Sequence, residues 1–327
     1  MKRSPAKHSR QNGLGLVEIM VGLVIGMISM LVIFQTVSTA GRRAATTTSG
    51  GDAQTSGTLG MYYLERHLRQ VGWGFAAMDS ISASAADAVN CNLGTFNLRP
   101  VNITQGATGA PDTVTATYGN ATAFTGAGAY TAVGSAVTTR QKPGFHNGDR
   151  PLLVNGTSCQ LLGPLTAVAA SGNLLTVSAA ATSSSGTIYN LGAAPMRAEW
   201  RINAGGLEFR EFDWATGAYP VAARQVADDV VNMQAAYFVG GACTEAAPAN
   251  WRTVQGICVA LLLRSKHFDP NFTAAAPAWA LANFTVPNLD GSAASCNATP
   301  NPNDWCRYRY EVFEKIIPFR NVIWGST

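Results

Sequence analysis

Residues 14–34, LGLVEIMVGLVIGMISMLVIF, form a run of twenty-one residues whose only charge is Glu18. At roughly 1.5 Å per residue a helix of that length spans the ~30 Å hydrocarbon core of a bilayer. A chain carrying such a segment must either place it in a membrane or cover it with another chain. Lys2, Arg3, Lys7 and Arg10 precede the run, and the next cation is Arg42. The positive-inside rule therefore puts residues 1–13 in the cytoplasm and everything after the helix on the far side. Those four cations also account for the whole formal charge of +4, so the remainder of the chain is neutral. The basic pI belongs to the leader, and no nucleic-acid partner is expected.

Only 13% of the residues are charged, a share that suits an exported protein better than a cytosolic enzyme. The six cysteines, Cys91, Cys159, Cys243, Cys258, Cys296 and Cys306, all follow the apolar run and none makes a CxxC. With four scattered histidines and no zinc-type spacing, an oxidised framework is expected rather than a metal site. Six cysteines allow fifteen pairings. The short-range pairs Cys243 with Cys258 and Cys296 with Cys306 are favoured, leaving Cys91 with Cys159. Asp269, Asn271, Asp290, Asn301, Asn303 and Asp304 supply oxygen ligands in loops without the spacing of a calcium-binding helix–loop–helix.

No GxSxG, P-loop, HExxH or dinucleotide-binding glycine pattern occurs. Catalytic residues, cofactors and metals are accordingly expected to be absent. Asp228-Asp229 would point to opposite faces of a strand, which suits solvated carboxylates better than an acid–base pair. Trp305, Tyr308 and Tyr310 with Arg307 and Arg309 read as one core face and one solvated face of a strand, not as a base-stacking strip.

The polar stretch TTTSGGDAQTSGTLG predicts a break in the helix near Gly50-Gly51. Helical patterning resumes with Met61, Leu64, Leu68 and Val71 on one face, His67 at the surface and Gly72 and Gly74 at the end. Beyond it, short turn-separated strands are predicted at 112–118, 173–179, 186–192, 232–239 and 257–265 and in the closing segment, with a hairpin joining MRAEWRI to LEFREF across NAGG. No βαβ alternation appears. The fold class expected is α+β, an antiparallel sheet packed on the second half of the first helix. Residues 151–196 hold no charge, which fits either small-residue loops of an exported protein or a surface covered by neighbouring subunits. The expected organisation is a leader at 1–13, an apolar helix at 14–34, a polar break and amphipathic helix at 35–78, and a β-rich domain at 79–327.

Glu18 is the residue that simpler readings leave unexplained. An ordinary secretory signal cut after Ser38-Thr39-Ala40 would have a shorter apolar core, and a permanent anchor gives the carboxylate no purpose. Near the membrane an unpartnered carboxylate costs a few kcal/mol, on the order of the insertion penalty of a charged side chain. In NGLGLVE a glycine, Gly13, precedes an apolar residue, and a glutamate stands fifth after it counting Leu14 as first. This resembles the type IV prepilin leader, a basic peptide cut after glycine by a membrane aspartyl peptidase.

The resemblance implies cleavage between Gly13 and Leu14 and N-methylation of the new amine on Leu14. It also implies a charge pair between that amine and Glu18 of a neighbouring subunit in the assembling filament. Gly22 and Gly26 form a GxxxG that permits close helix contact. YYLERHLRQVGWG from Tyr62, VVNMQAAYFV at 230–239, VALLLRS at 259–265 and the closing segment near Phe319-Arg320-Asn321 are similar to the minor pilins called PilW. Leu14-Gly15 departs from that family, in which Phe-Thr or Phe-Ser commonly follows the glycine.

Membership would imply a pilin-like α+β fold and a non-enzymatic subunit that primes pilus assembly with other minor pilins and ends at the tip. Its partners would be those pilins, the major pilin, the prepilin peptidase, the inner-membrane assembly platform and a tip adhesin. It would sit in the inner membrane with a periplasmic domain before entering the pilus, and serve adhesion and twitching motility. A J-type pseudopilin of a type II secretion system is the nearest alternative. A secreted hydrolase or adhesin with an ordinary signal peptide is the alternative from another class.

Overall fold

The protein is described by a computed structural model covering residues 15–75, 99–122, 128–140, 144–156, 158–170, 173–248, 253–281, 284–292 and 295–321. Of 89–91 and 94–96 the backbone alone is described, and the side chains of 42, 43 and 46 are not. Residues 1–14, with Gly13 and Leu14, lie outside the described residues. The chain divides into two compact units at Ser49 and Gly50.

Helix α1 is Leu16–Leu68. From Leu16 to Val37 it is exposed on every side, with Leu16 at 74% and Phe34 at 73%, as expected of a segment whose solvent is not water. Thr36 and Thr39 donate their hydroxyls to the carbonyls of Val32 and Gln35, so neither is left unbonded. The break expected at Gly50-Gly51 does not occur, because helical conformation is kept through both residues. Each glycine costs about 1 kcal/mol relative to alanine. Extending a helix is nonetheless cheaper than nucleating a second one, and packing holds the residues from Ala53 onward. The helix stops at Leu68, and the turn that leads out of it contains Gly72 (φ 82°) and Gly74 (φ 89°), the two glycines expected at its end.

In the second unit the β-structure forms three sheets rather than the single one expected. Sheet I runs β2 (Gly94–Phe96), β1 (Val89–Cys91), β8 (Ser158–Leu161), β7 (Pro151–Asn155), β11 (Ser185–Asn190), β5 (Gly128–Val133), β6 (Ala136–Thr139), β10 (Leu174–Val177), β9 (Leu165–Val168). Sheet II runs β14 (Arg224–Asp228), β13 (Gly206–Glu211), β12 (Met196–Asn203), β4 (Thr113–Tyr118), β3 (Val101–Thr104). Sheet III runs β16 (Ala242–Thr244), β15 (Val230–Val239), β17 (Val254–Arg264), β18 (Tyr310–Pro318). Among the described residues every neighbouring pair is antiparallel except β1 with β8. The NAGG hairpin is present: Ala204 (φ 47°) and Gly205 (φ 75°) make a two-residue turn with both φ positive, between paired Asn203 and Gly206.

The main core joins α1 to sheets II and III. Met61, Leu64 and Leu68 of α1, with Val71 of the turn that follows, pack against Trp200, Phe209 and Leu207 of sheet II and Ile257, Val259, Leu261 and Leu263 of sheet III. Two glycines set how closely the helix lies. A Cβ on Gly57 would come within 2.6 Å of the Phe313 ring, and one on Gly60 within 3.1 Å of the Ala227 methyl. The other face of β17 is buried too, because Cys258, Ala260 and Leu262 lie beneath Trp279, Phe284 and Val286 of the loop that follows. A strand buried on both faces reads as the uninterrupted apolar run ICVALLL. Sheet I and its loops supply a separate core of Tyr130, Val137, Leu153, Leu175 and Ile188.

Disulfides join Cys243 to Cys258 and Cys296 to Cys306. Cys159 is also disulfide-bonded. The Cα of Cys91 lies opposite that of Cys159 in the β1–β8 pairing, while the Cys91 side chain is outside the described residues.

Several local expectations change. Asp228 ends β14 and Asp229, at φ 62°, kinks the chain into β15, so the two do not share a strand. Gln225 donates to Asp228, and Asp229 pairs with Lys266 at 3.3 Å. Trp305–Arg307 is a 3-10 turn, not a strand. Arg307 is buried and donates to the carbonyls of Pro270, Phe272 and Asn297 and to the Thr273 hydroxyl, so it has no solvated face.

His67 is half-buried rather than at the surface. It packs against Phe209, Trp200 and Tyr118 with ring centroids 4.9, 5.4 and 6.1 Å away, and its Nδ1 meets the Tyr118 hydroxyl. Burial, reinforced by the cations of Arg66 and Arg224, pulls its imidazole down to about 4. A depressed imidazole means that between about pH 6.5 and 4 the unfolded chain binds a proton that the folded chain refuses. Stability from this group is therefore present at pH 7 and is lost on acidification through that window. Allowing for partial exposure, the loss should be about 1–2 kcal/mol. Urea unfolding of the full chain in detergent at pH 7 and pH 4 checks it. His67→Phe should show a smaller pH dependence than the parent, and an equal dependence would remove the assignment.

Candidate functional site: the head of the apolar helix

The segment Leu16–Gly41 is long and apolar enough to cross a membrane. Its first turn closes with Glu18 N–H donating to the Gly15 carbonyl at 2.9 Å and Ile19 N–H to the same oxygen at 3.3 Å. Glu18 is exposed, and among the described residues it makes no ion pair. A carboxylate in the first helical turn faces the positive end of the helix dipole, which supports it modestly, by about 0.3–1 kcal/mol. That is less than the cost of a lone charge in hydrocarbon, so the position calls for a cation.

Glu18, Gly22 and Gly26 recur every four residues and so line one side of the helix. Nothing lies within 4 Å of where a Cβ would stand on Gly22 or Gly26. One stripe thus presents a carboxylate followed by two gaps in the side-chain layer. It can receive another helix at close range, with a charge at one end to fix the register.

The other sequence candidates are engaged elsewhere. Asp304 is buried and accepts from the Asn297 side chain at 2.7 Å and the Asn301 backbone at 3.3 Å. Asp290 accepts from Ser292 N–H, and Asp269 from Asn271 N–H with Arg309 beside it. These carboxylates close turns, and their loops form no group of three metal-ligating side chains among the described residues.

A Thr122–His146–Asp149 cluster was not foreseen. The Thr122 hydroxyl and the Asp149 carboxylate both approach His146 Nδ1, at 3.5 and 3.7 Å, so the ring cannot relay a proton from one to the other. Asp149 is held instead by the His146 backbone N–H and by Asn190. Its spacing in sequence, with Asn190 arriving from β11, offered no recognisable signal.

A model of the prokaryotic N-terminal methylation motif matches residues 8–34. No curated protein matches the chain. Among solved structures, a type IV-like pilin from Thermus thermophilus aligns over 82% of this chain and 96% of its own, at 13% identity and a TM-score of 0.35. The matched motif takes in Arg10, Gly13, Leu14, Glu18 and both stripe glycines, and through it this chain is similar to proteins that carry a prokaryotic N-terminal methylation motif at the head of a membrane-length helix.

Proposed function

We infer that the chain is a minor pilin of the PilW kind, a non-enzymatic filament subunit that primes type IV pilus assembly with other minor pilins and remains near the tip. The observation that carries this reading is the lone carboxylate of Glu18, fifth after Gly13 counting Leu14 as first, at the head of a membrane-length helix. Removal of residues 1–13 would create an α-amine at Leu14, the cation that Glu18 otherwise lacks. In a medium of low dielectric such a pair is worth more than in water, and either charge alone is costly. The later landmarks at 62–74, 230–239 and 259–265 support the PilW assignment within the wider class.

The mature protein is expected to begin at Leu14, N-methylated, and only in cells with a working prepilin peptidase. N-terminal sequencing with intact-mass measurement checks this. A mature chain starting at Gly41 would establish a secretory signal and sink the reading. Replacement of Gly13 by a bulky residue should block cutting more than Gly13→Ala, because the requirement is steric access to the backbone.

A further inference from the structure

β18 is the outermost strand of sheet III and pairs only with β17. Which of its backbone groups point outward follows from the bonds at its two ends. Ser265 N–H donates to the Arg309 carbonyl and Phe319 N–H to the Gln255 carbonyl, each at 2.8 Å. Hydrogen-bonded pairs alternate along an antiparallel ladder. Glu311, Phe313, Lys315 and Ile317 therefore bond β17, while Tyr310, Val312, Glu314 and Ile316 turn their N–H and C=O groups away from it. Among the described residues, no hydrogen bond reaches these outward groups.

The Tyr310 and Val312 side chains pack under the loop that joins β17 to β18, and from Glu314 to Ile316 the side chains too are exposed, so the open part of the backbone edge is 312–316. Beside it lies a cavity of about 430 Å³ lined by Ile316, Trp279, Leu281 and the Cys243–Cys258 disulfide. Ile316 is 51% and Leu281 41% exposed. A bare strand edge is a template for another extended backbone, and an apolar hollow next to it selects side chains at alternate positions.

We propose that the 312–316 edge of β18 is a strand-addition site for an extended segment of another polypeptide. That segment carries bulky apolar residues at alternate positions and a lysine or arginine opposite Glu314. Main-chain bonds to Val312, Glu314 and Ile316 supply the register, the hollow over the disulfide takes one apolar side chain, and the Glu314 carboxylate takes the cation. A second copy of this chain fits less well. The symmetric pairing centred on the open stretch would set the two Glu314 carboxylates face to face. The inference stands on the geometry of sheet III and is independent of the proposed function.

The test pans a phage-displayed random decapeptide library on the full-length protein in detergent and measures the selected peptides by fluorescence polarisation. The expected peptides alternate apolar residues and carry a cation. Glu314→Pro deletes one outward N–H and leaves the ladder to β17 intact, so it should weaken binding at least tenfold. Glu314→Lys should reverse the charge preference at that one position. N-methylation of successive peptide amides should abolish binding at alternate positions only, a result that holds even if the proline variant does not fold. Failure to select any peptide, binding indifferent to Glu314→Pro in a folded variant, or loss of binding at every methylated amide would overturn the proposal. Self-association of the parent protein that Glu314→Pro removes would assign the edge to a second copy and would overturn it equally.

Discussion

Leu64→Ala should remove about 3–5 kcal/mol of unfolding free energy, while Leu59→Ala should change it by no more than about 0.5 kcal/mol. Both residues lie on α1, five positions apart, and they differ only in what faces them. Leu64 is fully buried in the core shared with sheets II and III, whereas Leu59 is 44% exposed. Truncating Leu64 loses the transfer free energy of its methyl groups and leaves a void that Trp200 and the β17 side chains, themselves fully buried, cannot collapse to fill. The comparison uses full-length protein in detergent, unfolded in urea and followed by tryptophan fluorescence. Equal effects at the two positions would mean that the helix does not dock as described.

The elements legible in the sequence are those in which one physical requirement dominates. β17 was readable because burial on both faces leaves no room for a polar residue. The Met61–Leu64–Leu68–Val71 stripe was readable because only one helix face is covered. The NAGG hairpin announced itself through the glycine that a positive φ favours. Sheet I was mostly missed. Its strands β10 and β11 fall on the expected strands at 173–179 and 186–192, but β6, β8 and β9 are only four residues long, each with two or more small or hydroxylated residues, so no alternation rises above the loops around them.

The helix break was misread because local glycine propensity pointed one way while the packing from Ala53 onward pointed the other. Trp305 to Tyr310 interleaves aromatic and basic residues as a strand would, yet the Asp304 carboxylate and the Cys296–Cys306 disulfide hold Trp305–Arg307 in a turn. His67 could have been placed, since it follows Leu64 by three residues and belongs to the same face. At the head of the helix the position of Glu18 was legible for the opposite reason: a charge in hydrocarbon is so unfavourable that its presence demands an explanation.

The strongest functional effect expected is a separation of two events at that carboxylate. Glu18→Gln keeps the size of the side chain and removes its charge. A peptidase that reads Gly13 and the basic leader should still release a chain beginning at Leu14. Filament entry, however, should fall at least tenfold. The cause is the amine rather than the glutamine: the new N terminus of one subunit would enter an apolar helix bundle with no anion to meet it. Burying that charge alone costs several kcal/mol, on the order of the penalty for breaking a buried pair.

Gly22→Leu on the same stripe offers a contrast. It leaves the charge pair intact and obstructs only the close approach of a second helix, so its effect should be smaller and should not depend on the N-terminal amine. Immunoblots of whole cells report processing, and the amount in sheared pili or in a co-purified minor-pilin complex reports entry. If Glu18→Gln is cut and assembles as well as the parent, the carboxylate is not the partner of the Leu14 amine. The lone charge in this helix would then need another cation, and the stripe another purpose.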